Sequence, residues 1–267
     1  ALPRLRISRW HRGLVMAENA EDIAIVGRGA IDGQHVFDPR GEERMRGPHT
    51  LLLGHCRNFR LQDVLLTNSA NYALLFFFTD QVEVRNATFA GGWDGVHFRG
   101  SIERFCNDVR IVDSRFYTGD DAIAGSYWRD VTISNCVINT SCNGVRLIGP
   151  AVHSAIAHCD FFGPGLHEHR TSRAQRRTNM LAGICLQPGA WEPMEGPLDD
   201  FRISDVTMRN VAAPFHIALR QGNTAGRILI ERVNATGAYR APCSVESWGD
   251  SSFSNVVFRD ATFEFTG

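Results

Sequence analysis

Val109-Arg-Ile-Val-Asp-Ser-Arg-Phe-Tyr-Thr-Gly-Asp-Asp-Ala-Ile-Ala-Gly125 runs through an apolar alternation, a polar break, a second short apolar strand, a Gly-Asp-Asp turn and a third apolar run. Alternation with period two marks a half-buried strand, whereas a helix needs a period of about 3.6. Outward from this stretch the same unit keeps returning. Its leading apolar pair recurs as Ile23/Ile25, Phe59/Leu61, Val82/Val84, Val109/Ile111, Val131/Ile133, Ser154/Ile156, Phe201/Ile203, Ile228/Ile230 and Val256/Phe258. The step is 27 residues from Val82 to Val109, then 22 to Val131 and 23 to Ser154. A period of about 20 to 50 residues signals a solenoid or a propeller, but propeller blades need four strands and roughly 40 residues. The Leu and Asn spacing of leucine-rich repeats is absent. Three short strands per repeat predict an all-β chain, a parallel β-helix of about eight to ten coils, with residues 1–267 forming one domain.

Composition removes several function classes. The chain has 267 residues, 43% of them apolar, and a formal net charge of -1, so no basic excess points to nucleic acid or an anionic membrane. All 28 positive side chains are arginine. The longest apolar run, Ala73 to Phe78, is far short of the roughly 20 residues that span a bilayer, and the start lacks the apolar centre of a secretory signal. Seven cysteines without a C-x-x-C pair argue against zinc or a disulfide framework, and are expected as small core residues. Neither a metal nor another cofactor is expected. Asn58, Asn107, Asn135, Asn210 and Asn255 fall near strand starts and turns, where a structural role is expected.

Counting twelve residues from each leading position brings Val82 to Asp94, Val109 to Asp121 and Val131 to Asn143. Equal positions on successive coils lie about 4.8 Å apart, so Asp94 and Asp121 should stack, with Asp120 beside them and Asn143 one rung on. Three unpaired carboxylates in one patch repel one another, which splits their proton affinities and suits general acid/base chemistry on a glycosidic bond. On the same strands His97, Ala124 and Arg146 should form the floor of a cleft. Arg146 either grips a sugar carboxylate or neutralises the aspartates. Excursions at 33–48, 163–180 and 189–197 interrupt the coils. The second, rich in His and Arg, is expected to flank the groove, with His167 and His169 lining it. Trp93 is placed to stack on a sugar ring or to pack a loop; Trp128 and Trp191 carry the weaker form of the same choice.

The chain resembles the polygalacturonase-like glycoside hydrolases of family 28. Gly27-Arg-Gly-Ala-Ile-Asp-Gly33 is similar to that family's early Gly-x-Gly-x-Ile-Asp-Gly coil, and Gly119-Asp120-Asp121 to its Gly-Asp-Asp. Trp93-Asp94-Gly95 matches its Asn-Thr-Asp-Gly at Asp and Gly. The resemblance implies a right-handed β-helix, with Asp120 as proton donor and Asp94 and Asp121 activating water in an inverting displacement. It also implies a secreted or periplasmic protein that acts on a polysaccharide or oligosaccharide, without nucleic-acid or membrane partners. Two departures stand out. Cys142-Asn143-Gly144 replaces Gly-His-Gly, and Cys185-Leu186-Gln187 replaces Arg-Ile-Lys, leaving Gln187 where a uronate-binding cation is usual. The substrate is therefore either neutral at that subsite, as in dextranase-like enzymes, or held by Arg146. The N-terminal cap is expected to be short or missing, which would make pairing of coil ends into a homo-oligomer possible. A β-helix lyase or epimerase, and a non-catalytic carbohydrate-binding β-helix, are the alternative functions.

Overall fold

The computed structural model describes residues 12–169 and 176–267, and within them every regular element is a strand. The leading strands form one unbroken parallel ladder in which Ile23, Phe59, Val82, Val109, Val131, Ser154, Phe201, Ile228 and Val256 are successive rungs. This is the register read from the repeat, coil for coil. One face of the solenoid is a 9-stranded parallel sheet running from Gly13–Glu18 to Ser244–Ser247. The other faces belong to a 15-stranded sheet that turns the corner through long strands such as Gly196–Arg209.

The corners explain the polar breaks. On either side of the leading apolar pair a non-glycine residue takes a left-handed φ: Asn58, Asp108 and Asp130 near the start of the strand, Asn86, Asp113 and Asn135 just after its end. Asn and Asp tolerate that conformation better than other side chains. They also bond across coils, Asn86 Nδ2 donating to Asp63 Oδ1 at 2.6 Å and Asn135 Nδ2 to Asp113 Oδ1 at 3.2 Å. Inside, like residues stack on like. Phe98 lies 4.8 Å from Phe76 and 4.4 Å from Trp128, and Phe89 lies 4.7 Å from Phe116, all near-parallel. Such ring pairs add about 0.5–1.5 kcal/mol each beyond the area they bury. Trp128 is therefore a core residue and not a sugar platform.

Cys56, Cys106, Cys136 and Cys159 sit in this core as expected, but Cys142 and Cys185 do not. Strand alternation turns Cys185 outward, in register with Arg146, and Cys142 faces the same side. The excursion at 33–48 folds back on itself, with Phe37–Glu42 bridged to Arg46, and His169 bridges to Arg177 across the second excursion. Through Arg46 and His169 they reach Asp120 at the outer side of the 9-stranded sheet. The expected short N-terminal cap concerns residues 1–11, and the middle of the 163–180 loop residues 170–175; both lie outside the described residues.

Candidate active site

Asp94 and Asp121 lie two residues ahead of the strands Val96–Arg99 and Ile123–Ser126, and Asn143, at the equivalent point of the next coil, opens the strand Asn143–Leu147. The backbone ladder locks them together, Gly95 N–H donating to Asp121 O and Ala122 N–H to Asn143 O, each at 3.0 Å. The small residues beside the acids follow from close approach. A Cβ on Gly95 would come within 2.8 Å of the Phe116 ring, and one on Gly119 within 2.4 Å of Gly92 O and 2.6 Å of Glu168 O. The Thr118 hydroxyl donates to Asp120 O at 2.8 Å, and the Thr140 hydroxyl bonds the same oxygen. This fixes the turn that presents Asp120.

Each of Asp94, Asp120 and Asp121 is buried, and each offers an oxygen within 4.8 Å of the others. They open on a cavity of about 510 Å³, lined also by Arg46, Tyr72, His97, Cys142, Arg146, His169, Arg177 and Trp191. Their partners differ. Asp120 Oδ1 accepts the Asp121 N–H at 3.0 Å and lies 3.3 Å from His169 Nε2, while its Oδ2 lies 3.8 Å from the Arg46 guanidinium. Asp121 Oδ1 accepts both the side-chain and backbone N–H of Asn143, at 2.7 and 3.0 Å, and Oδ2 lies 3.6 Å from Arg146. Asp94 Oδ2 pairs with His97 Nδ1 at 2.6 Å. Because Arg99 Nε donates to His97 Nε2 at 2.8 Å, the neutral ring must carry its proton on Nδ1 and donate it to Asp94. Burial, then the charge of Arg99, keeps His97 well below the usual imidazole range.

These surroundings separate three chemically identical groups. Burial first, and then Asp120 and Asp121, push Asp94 well above the usual carboxylate range. Burial also raises Asp121, against the opposing pull of Arg146. Burial works to raise Asp120 too, but the hydrogen bond and charge of His169, together with Arg46, outweigh it and hold Asp120 below that range. Among the described residues Asp120, Cys142 and His169 could each offer a ligand atom to a cation, as could the three aspartates. Guanidinium groups already supply fixed positive charge there, Arg177 at 3.5 Å from Cys142 Sγ and Arg46 beside Asp120.

The remaining sequence candidates divide. His97 and Arg146 lie on one outward row with Ala124, as the spacing requires. His169 reaches Asp120 directly. Gln187 lies further along, in a hollow of about 380 Å³ that shares Arg146 with the first. His167 and Trp93 line a separate hollow of about 730 Å³. Trp93 is 3% exposed, with the Arg46 guanidinium 3.7 Å above its ring, so the face expected to receive a sugar is covered. Trp191, exposed and 5.1 Å from the Arg146 guanidinium, is the aromatic ring at the cavity mouth. Arg46 was not legible in the repeat pattern, since it comes from an excursion outside it; the only signal was the length of that excursion.

No family model matches the chain, and no curated protein matches it in sequence. Among solved structures, a hyperthermoactive exopolygalacturonase from Thermotoga maritima superposes with a TM-score of 0.62 at 15% identity, over 96% of this chain and 75% of that one. PfbA, a surface adhesin of Streptococcus pneumoniae, superposes with a TM-score of 0.58 at 15% identity, over 90% and 70%. The chain thus has the right-handed parallel β-helix fold of the polygalacturonases, a fold that an adhesin shares.

Proposed function

We propose that this chain is a single-domain glycoside hydrolase that cleaves a polysaccharide or oligosaccharide by an inverting, three-aspartate mechanism. The observation that carries the reading is the buried cluster of Asp94, Asp120 and Asp121, with oxygens within 4.8 Å of one another at the base of a cavity. Asp120 protonates the leaving oxygen, while Asp94 and Asp121 hold and deprotonate one water between them. Acid and base carboxyls of inverting enzymes commonly stand about 6.5–9.5 Å apart. The cluster here is tighter than that and nearer the roughly 5–5.5 Å of retaining enzymes, so the inverting assignment rests on the paired Asp94 and Asp121, and the product anomer is its direct readout.

The electrostatics constrain that mechanism. Asp120 must be protonated to donate, yet His169 and Arg46 oppose it; Asp94 and Asp121 must be ionised, yet burial opposes that. The productive protonation state is therefore a minority one, depleted by acid, which protonates Asp94 and Asp121, and by alkali, which deprotonates Asp120, so a bell-shaped pH profile is expected. Arg146, half-buried in the cavity wall with a buried Nε that has no hydrogen-bond partner, supports binding of a carboxylate-bearing sugar and compensates for Gln187 at the position of a usual cation. An adhesin's likeness of fold supports the second reading, glycan binding without cleavage. Screening acidic and neutral glycans with Asp120→Asn beside the wild type separates the two. Hydrolysis by wild type that falls by about 10²–10⁴ in the variant is expected, and unchanged turnover would overturn the assignment.

A further inference from the structure

The groove floor is the outward row of the 9-stranded sheet: Leu52, Leu75, His97, Ala124, Arg146, Cys185 and His216 in successive coils. His97, Ala124 and Cys185 are as buried as Leu52 and Leu75, so the two ends of the row differ in what stands over them and not in exposure. His97, Ala124, Arg146, Cys185 and His216 line cavities, whereas Leu52 and Leu75, which also point away from the core, form an apolar cluster of their own. They are covered by Tyr72 and Trp93, with Met45 and Phe77 packed against them. Arg46 crosses this cluster, 3.7 Å from the Trp93 ring and 5.3 Å from Tyr72. It is tied down by Glu42 at 3.6 Å, Glu43 at 3.2 Å and Asn71 at 3.4 Å. Tyr72 stacks on His97 with centroids 4.5 Å apart, and His169 abuts Trp93 edge-on at 6.2 Å. The wall thus stands immediately beside the aspartates.

The cavities respect this wall. The hollow lined by Trp93 and His167 shares only His169 with the aspartate cavity. In the other direction the aspartate cavity passes, by way of Arg146 and Leu181, into the hollow lined by Gln187, His216 and Arg240.

We propose that a glycan enters only from the C-terminal side of the solenoid, end first, and that the site removes a single terminal sugar lodged against the Arg46–Trp93–Tyr72 wall. The inference rests on the glycoside reading. Asp120 touches both Arg46 and His169, so no second sugar fits between the acid and the wall. The wall is buried and bonded on several sides, which makes it a fixed stop.

The test uses hexamers of an α-linked polyuronate and of an α-glucan, each untagged, tagged with a bulky fluorophore at the reducing end, or tagged at the non-reducing end. Binding is measured with Asp121→Asn and products with the wild type. One tag position is expected to weaken binding more than about tenfold while the other is tolerated, and the free monosaccharide is expected as the first product. Equal binding of both tagged forms, or early fragments from mid-chain, would overturn the inference. End-dependent binding without any cleavage would refute hydrolysis and leave the closed end standing; failure of every glycan to bind would refute the glycoside reading itself. The double variant Met45→Ala/Trp93→Ala, checked for fold by circular dichroism, is expected to accept the excluded tag. Continued exclusion by that folded variant would show that the wall is not the stop.

Discussion

Asp94→Asn is expected to stabilise the protein above acidic pH, because the wild-type cluster holds carboxylates that the fold keeps too close. Two unit charges 4.8 Å apart repel by about 3–4 kcal/mol at an effective dielectric of 20. Asp94 faces two such neighbours, with only the neutral His97 bonded to it. Arg46 and Arg146 offset part of this, which leaves a net penalty of about 1–3 kcal/mol for an ionised Asp94. The sign follows from linkage. A carboxyl whose folded proton affinity is raised above its unfolded one carries no penalty below the unfolded value. The penalty grows as pH rises through the interval between the two and is complete above the folded value. Asparagine keeps the oxygen that His97 bonds and never ionises. Thermal unfolding followed by calorimetry from pH 4 to 8 should show the wild type losing stability across the range relative to the variant. The variant should melt a few degrees higher at neutral pH, given about 2–4 °C per kcal/mol for domains of this order of size. Parallel pH profiles for the two proteins would mean that the three acids do not face one another, and the catalytic proposal would fall with that geometry.

Arg99→Met releases the His97 tautomer, so the ring no longer always donates to Asp94; a drop in kcat of about tenfold with little change in KM is expected, read by steady-state kinetics. Arg146→Met should weaken binding of a polyuronate by about 1.5–3 kcal/mol, the value of a charge-assisted hydrogen bond, and leave a neutral glucan unaffected in calorimetric titration. Phe98→Ala removes the middle ring of the Phe76–Phe98–Trp128 stack and should cost about 3–5 kcal/mol in chemical denaturation. Proton NMR of the first-formed reducing sugar should show the anomer opposite in configuration to the bond that was cut.

The solenoid was legible because its information is local and repeated. Each coil restates the same apolar rhythm, and equal positions must stack at the strand spacing, so placing Asp94 under Asp121 and Asn143 required only counting. What the rhythm omits is also what it could not convey. Arg46 and the 163–180 loop depart from the coil, and nothing in their composition gives the path by which Arg46 and His169 return to Asp120. Trp93 follows from the same gap: beside an aspartate it reads as a sugar platform, and only the returning Arg46 turns it into part of a wall. Residue type alone places Cys142 and Cys185 inward, whereas strand alternation turns Cys185 into the groove.

The fold by itself does not separate an enzyme from a non-catalytic scaffold, since an exopolygalacturonase and a surface adhesin superpose on it about equally well. The distinction rests on what burial does to charge. A binding groove gains from polar groups that remain solvated and adaptable, and three ionisable acids pressed within 4.8 Å at its base would only cost stability. A hydrolase needs that cost, because separating the proton affinities of chemically identical side chains is how it holds an acid and a base at one pH. Asp120 gathers His169 and Arg46 while Asp94 is bonded by a neutral imidazole, so the three acids differ through residues on three different segments of the chain. The resting proton preference runs opposite to the proposed roles, and turnover draws on the fraction of molecules with the proton on Asp120. On the proposed reading, that convergence of segments is what gives three chemically identical carboxyls different parts in one reaction.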